Sequence, residues 1–329
     1  MRLLLLSSGF DLSLRPMQYP QFYEMYKNSI KNTWTVDEVD WSGDLVDLKK
    51  KLKPGEQHLI KRLVAFFATG DNLVAENVVL SLYQNLNSPE ARLFLSRQLS
   101  EEATHIDFYL TLLDTYIPDH DERREMFRAL ETIPSIKKKG EYARKVTTLG
   151  SGSNTKEQVL LNLILYACAI EGLFFYAAFA YVYFLRSKGL LNGLATGTNW
   201  VFRDESAHMN FALEAIEVIR DENPELFTAN LEKQVRELFH EALECEYEFA
   251  KDVLSEGVTG LSVADIKTYL EYVIDQRLVM LGYGIEFGSK NPFSFLELQD
   301  AQELSNFFER RVSSYQTSVE GTVSFTEDF

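Results

Sequence analysis

The sequence predicts an all-α fold: a helical bundle with a four-helix core and additional flanking helices. Three observations predict it. Only 17 glycines and 8 prolines interrupt 329 residues, which favours long helices over strands joined by turns. Hydrophobic residues make up 46% of the chain, with 23 Phe and 16 Tyr, enough to bury a large core. One chemical unit also occurs twice. Glu102-Ala103-Thr104-His105 returns as Glu205-Ser206-Ala207-His208, and each pair has a lone acid upstream on a separate apolar segment. Asp71 lies 31 residues before Glu102, and Glu171 lies 34 before Glu205. Residues three apart on a helix share a face. Two Glu-x-x-His pairs, with one carboxylate from each of two further helices, form the ligand set of a carboxylate-bridged dimetal bundle. One pair alone would mean little, because acids and histidines fall three apart on many solvated helices.

The elements follow in chain order. The opening Met1-Arg2-Leu3-Leu4-Leu5-Leu6 has too short an apolar run for a signal peptide, and no clear cleavage site follows. It reads as a frayed amino terminus, and residues 1–50 as partly irregular. Trp34 and Trp41 flank the acidic stretch 36–40 there. Pro54-Gly55 opens a helix expected from Glu56 to Leu86, with Phe66, Phe67, Leu73 and Val74 around Asp71. Ser88-Pro89 supplies a capping hydroxyl and a proline at the first helical position. The helix it opens should reach Ile117-Pro118 and carry Glu102, His105 and Tyr109.

Residues 119–154 are the most polar part of the chain: a short helix around Glu122 to Leu130, then Lys137-Lys138-Lys139, which reads as a solvated face. Gly150-Ser151-Gly152-Ser153-Asn154 reads as a mobile connection. Val159 to Leu185 is almost continuously apolar and long enough to cross a bilayer. Glu171 in its middle would be costly in lipid, and no comparable partner span exists, so the stretch predicts the buried centre of a bundle. Gly193 to Arg220 forms the next helix; Pro224-Glu225 starts one to about Glu256, Leu261 to Leu281 is another, and after Asn291-Pro292-Phe293 the pattern weakens. Residues 313–329 lack helical periodicity yet end Phe325-Thr326-Glu327-Asp328-Phe329. Apolar anchors on such a terminus suggest a segment that orders on a partner. The protein therefore divides into one helical domain, 1–312, and a tail, 313–329.

A net charge of −16 argues against a nucleic-acid surface. The two cysteines, Cys168 and Cys245, suggest no disulfide framework, which points to a reducing compartment and a cytoplasmic protein. Cys168, one turn from Glu171 in an apolar run, reads as core. His58, His120 and His240 have no matching acid spacing and read as ordinary residues.

Four carboxylates and two imidazoles around two divalent ions give a near-neutral site. That donor set suits iron and manganese, and the absence of cysteine ligands argues against structural zinc or clusters. Asp204, adjacent to Glu205, is a candidate for holding a metal-bound histidine in orientation. Tyr109 lies four after His105 on the same face, so its ring should approach one metal. A phenol beside an oxidised dimetal centre can lose an electron and a proton, and the radical survives only in a dry pocket. Phe175 and Phe179, four and eight after Glu171, and Val201, four before Glu205, share their ligands' faces. The plain alternative is a core tyrosine with a satisfied hydroxyl.

On these residues the sequence resembles the small (beta, radical-generating) subunit of class I ribonucleotide reductase, within the ferritin-like dimetal-carboxylate superfamily. The resemblance runs from Tyr19 to the last residue. It rests on Phe66-Phe67-Ala68-Thr69-Gly70-Asp71, Glu102-Ala103-Thr104-His105 with Tyr109, Glu171-Gly172-Leu173-Phe174-Phe175-Tyr176 and Arg203-Asp204-Glu205-Ser206-Ala207-His208. Asn291-Pro292-Phe293, Asn306-Phe307-Phe308-Glu309-Arg310-Arg311-Val312 with Tyr315, and the closing Phe325 to Phe329 add to it. It implies metal ligation by Asp71, Glu102, His105, Glu171, Glu205 and His208, and a tyrosyl radical at Tyr109. Trp34 and Asp204 resemble the internal relay, and Tyr315 the tail tyrosine that hands the radical to a separate large subunit, where ribonucleotides are reduced. The tail would dock on that subunit, and the small subunit would be a homodimer with no nucleic-acid or membrane partner. The resemblance implies a diiron centre, with dimanganese or manganese–iron as alternatives; keeping both Asp71 and Tyr109 favours a tyrosyl radical. The sequence has no nucleotide-phosphate loop and no cysteine cluster, so alone the protein cannot reduce a nucleotide. A dimetal ligand-binding oxidase of the same fold and a ferritin-like iron store are the competing expectations.

Overall fold

Long helices form where the sequence supplies a start signal and an uninterrupted apolar face. A computed structural model describes residues 4–149 and 155–297, and for 70–81 and 148–149 the helical backbone alone. Its helices are α1 (Pro20–Lys31), α2 (Ser42–Lys50), α3 (Pro54–Asn85), α4 (Pro89–Tyr116), α5 (His120–Phe127), α6 (Ala129–Thr132), α7 (Pro134–Leu149), α8 (Lys156–Leu165), α9 (Tyr176–Ser187), α10 (Asn192–Glu222), α11 (Ala229–Val253) and α12 (Val263–Met280). A π-helix, Tyr166–Phe175, joins α8 to α9. Among the described residues there is no strand, only an isolated bridge between Val258 and Leu261. The helices form one unit, Met1–Pro292. A second unit begins at Phe293, and its described part is a single turn, Ser294–Leu296, with the Phe293 and Phe295 rings 5.1 Å apart. Tyr315, the tail 313–329, the motif at 306–312 and the Gly150–Asn154 connection lie outside the described residues.

Four rods make the core: α3, α4, the α8–π–α9 rod and α10. Helix α3 packs along α4, and α10 packs along the π-helix and α9. Helix α1 covers α4 and α10, while α7, α11 and α12 flank the other side. The starts are chemically explicit. Ser88 caps α4, its hydroxyl accepting from Ala91 N at 3.0 Å ahead of Pro89. Helix α10 is capped in trans. Asp44 of α2 accepts from Gly193 N (2.8 Å) and Leu194 N (2.7 Å), fixing the helix that carries Glu205 and His208.

The apolar span behaves as expected for a bundle centre. In the rod Lys156–Ser187, 94% of the most apolar window is buried inside the molecule. Its regularity differs from a plain α-helix, because ten residues around Glu171 adopt the wider π turn. Arg277, buried on α12, donates Nε–H to the Gly172 carbonyl at 3.0 Å, satisfying an acceptor within the widened ladder.

Three expectations need correction. The amino terminus is tied down from Leu4 onward: Leu5 is fully buried, and its N–H donates to Glu222 Oε2 at 2.7 Å. The polar middle contains the 16-residue α7, and its basic triplet is only partly solvated. Lys137 is exposed, but Lys139 points inward, with Nζ 2.6 Å from Glu246 Oε1 and 3.5 Å from the Phe66 ring centre. Consecutive helical residues point about 100° apart, so a run of like residues cannot share one environment. The helix expected from Pro224 breaks after one 3-10 turn and restarts at Ala229, where Thr228 accepts from Leu231 N at 3.2 Å.

Candidate metal centre

The duplicated unit closes on itself across the bundle. Glu102 and His105 on α4, Glu205 and His208 on α10, and Glu171 on the π-helix are all buried, each at most 2% exposed. Glu102, Glu171, Glu205 and His208 each place a ligand atom within 4.8 Å of the others. His105 Nδ1 joins them, 3.3 Å from Glu205 Oε1 and 3.5 Å from Glu102 Oε2. His208 Nδ1 lies 3.3 Å from Glu102 Oε1 and 3.4 Å from Glu205 Oε2. Glu102 and Glu205 thus each turn one oxygen to either imidazole, the arrangement a bridging carboxylate needs. Asp71 is placed on α3, but its side chain lies outside what the structure describes.

The cluster fits a pair of cations. Glu102 Oε1, His105 Nδ1, Glu171 Oε2, Glu205 Oε2 and His208 Nδ1 are buried with no hydrogen-bond partner among the described residues. Buried polar atoms are normally satisfied, and so many orphans facing one place mark a site built for positive ions. Proton affinities point the same way. Burial, then the nearby charge of Glu205, pushes the Glu171 carboxyl up to about 8. Burial alone would lower both imidazoles, yet the carboxylates around them raise His105 and His208 well above the ordinary range. Burial opposes ionisation of Glu102 too, but the two imidazoles hold it down to about 2.

The outward nitrogens of the imidazoles are held by a second layer of acids. Asp204 Oδ2 lies 3.4 Å from His105 Nε2 and accepts from Trp34 Nε1 at 2.7 Å. Trp34 is buried and stacks on His105, ring centres 6.2 Å apart at 26°. Tyr109 is buried with its ring stacked on Phe67 (4.4 Å, 8°) and tilted on Phe108 (5.2 Å). Phe175, Phe179 and Val201 are buried as well. Gly197 permits the close approach of α10 to Phe108: a Cβ there would stand 2.2 Å from that ring.

Two residues escaped the sequence reading. Glu101 Oε2 accepts from His208 Nε2 at 2.9 Å, and Gln98 Nε2 donates to Glu171 Oε1 at 3.1 Å. The signal for Glu101 was present, since it precedes Glu102 as Asp204 precedes Glu205. Gln98 sits one turn before Glu102 on the same face, which marks it only once the packing is known.

Comparison with known proteins agrees with this geometry. The family model described as "Ribonucleotide reductase, small chain" matches residues 11–292. The ribonucleoside-diphosphate reductase small chain of Nicotiana tabacum is 36% identical over 313 residues, covering 95% of this protein and 91% of that one. Among solved structures, the Saccharomyces cerevisiae ribonucleotide reductase Rnr4 homodimer has a TM-score of 0.78 at 25% identity, covering 95% of this protein and 92% of that one. The Clostridium botulinum ribonucleotide reductase R2 subunit has a TM-score of 0.80 at 19% identity, covering 92% and 99%, a likeness of fold.

Proposed function

The protein belongs to the ribonucleotide reductase small-chain family, and we propose that it generates and stores a radical on Tyr109, beside a dimetal centre held by Asp71, Glu102, His105, Glu171, Glu205 and His208. It is a small subunit of ribonucleoside-diphosphate reductase, an oxidoreductase. The observation that carries the site assignment is the cluster of orphaned donor atoms, with Glu102 and Glu205 each spanning both imidazoles. A pair of iron ions, or two manganese ions or one of each, supplies when bound the oxidising power to take one electron from a phenol.

The protein's part is to place and protect. Stacking on Phe67 and Phe108 keeps water and reductants from the Tyr109 ring. The Asp204 carboxylate accepts the Trp34 indole N–H, so a proton leaving Nε1 has an acceptor 2.7 Å away. That pairing suits Trp34 and Asp204 to relay an electron and a proton between the centre and a large catalytic subunit. Tyr315 and the tail 313–329 would complete the path and dock on that subunit. The yeast Rnr4 relative is a homodimer, which supports the same state here. Cys168 and Cys245 are buried and outside any disulfide, which suits a reducing compartment, the cytoplasm.

The test is a spin-resonance spectrum with metal analysis. Wild-type protein loaded with iron and exposed to oxygen should hold two ions per chain and give a tyrosyl signal. Tyr109→Phe should keep the two ions and lose the signal. An unchanged signal in the variant would place the radical elsewhere.

A further inference from the structure

We infer that Glu101 is a positioning residue: it fixes the His208 ring through Nε2 and, with Arg97, makes the His208 half of the site chemically unlike the His105 half. This rests on the dimetal reading above. The two Glu-x-x-His units are each preceded by an acid, and both acids act across the bundle. Asp204 of α10 faces His105 on α4, and Glu101 of α4 accepts from His208 on α10. A carboxylate only accepts, so the 2.9 Å contact places a proton on Nε2 and turns the Nδ1 lone pair to the cluster.

Beyond the imidazoles the halves diverge. Asp204 also accepts from Trp34, an aromatic able to exchange an electron, and from Arg203. Glu101 instead receives Arg97 Nε at 2.9 Å on its other oxygen. Arginine keeps its proton at any working pH, and among the described residues the donors that meet Glu101 are this guanidinium and the His208 ring. Both acids therefore meet a guanidinium, but the His208 side ends there, while the His105 side also opens onto the indole. An ordinary i,i+4 pair between Arg97 and Glu101 would explain neither the burial of Glu101, 3% exposed, nor the oxygen it spends on His208.

The experiment follows Mn(II) uptake by the full-length protein, with affinities at both positions from chelator competition and helix content checked by circular dichroism. Wild type should bind two ions. Glu101→Ala should weaken one position by about ten- to a hundredfold and leave the other within a factor of about three, the range seen when a ligand's supporting partner is lost. Glu101→Gln, which keeps an acceptor oxygen, should fall between them, and it serves as the test variant should Glu101→Ala not fold. A split between positions, with partial rescue by Gln, is a readout that loss of packing alone does not produce. Equal weakening of both positions, or no change in either, would overturn the inference. A wild-type protein holding fewer than two ions would instead sink the dimetal reading, and this inference with it.

Discussion

At Glu171 the cost of a buried carboxylate becomes a measurable pH dependence. Its folded value of about 8 lies above the ordinary 4.5, and both imidazoles are raised above 6.5. The folded, metal-free protein thus holds more protons than the unfolded one. Stability from these groups is complete below their unfolded values and is lost as pH rises through about 8. Glu102, lowered to about 2, works in the opposite sense and only in strong acid. We predict that the melting temperature in chelator falls between about pH 7 and 9, while in excess Mn(II) it stays level or rises, because metal binding displaces those protons. Scanning calorimetry across that window checks it; a metal-free melting temperature that climbs would contradict it. Spacing alone anticipates that Glu102, His105, Glu205 and His208 converge, as their side chains do. It fails at Lys139, whose burial depends on Glu246, a residue 107 positions away that no local pattern links to it.

The π-helix shows what periodicity can and cannot reveal about an element. Val159 to Leu185 is apolar on every face, so an extra residue per turn shifts no polar stripe and leaves no trace in the sequence. Boundaries of α3, α4 and α10 were readable because Pro54, Ser88-Pro89 and Pro224 punctuate them. Gly172 is the one local hint. A Cβ there would stand 2.7 Å from the Ala167 carbonyl oxygen and 2.9 Å from Arg277 Nε. Alanine ordinarily gains about 0.5–1 kcal/mol over glycine inside a helix. Here the clash is with backbone and a buried guanidinium, and overpacking of that kind costs about 1–3 kcal/mol. Gly172→Ala is therefore expected to destabilise the protein by about 1 kcal/mol or more in urea unfolding, and to weaken metal binding because Glu171 is its neighbour. A stabilised Gly172→Ala protein would show that the π turn relaxes without cost.

For the whole molecule, every described candidate ligand lies between Glu102 and His208, and the family match ends at residue 292, where the helical unit also ends. The closing residues 314–329 contain none of the candidate ligands, yet they carry Tyr315 and the apolar Phe325 and Phe329 in a sequence without helical periodicity. If their work is recognition, removing them separates two properties that the proposed function joins. The truncated protein should keep its melting temperature, bind two metal ions and form the Tyr109 radical. It should lose binding to the large subunit, and with it nucleotide reduction in the mixed assay. Full-length Tyr315→Phe should show the opposite split, binding the large subunit while supporting no turnover. A truncated protein that still binds and turns over would assign docking to the helical unit, where the half-buried Trp200 stands beside Trp34, rings 5.2 Å apart.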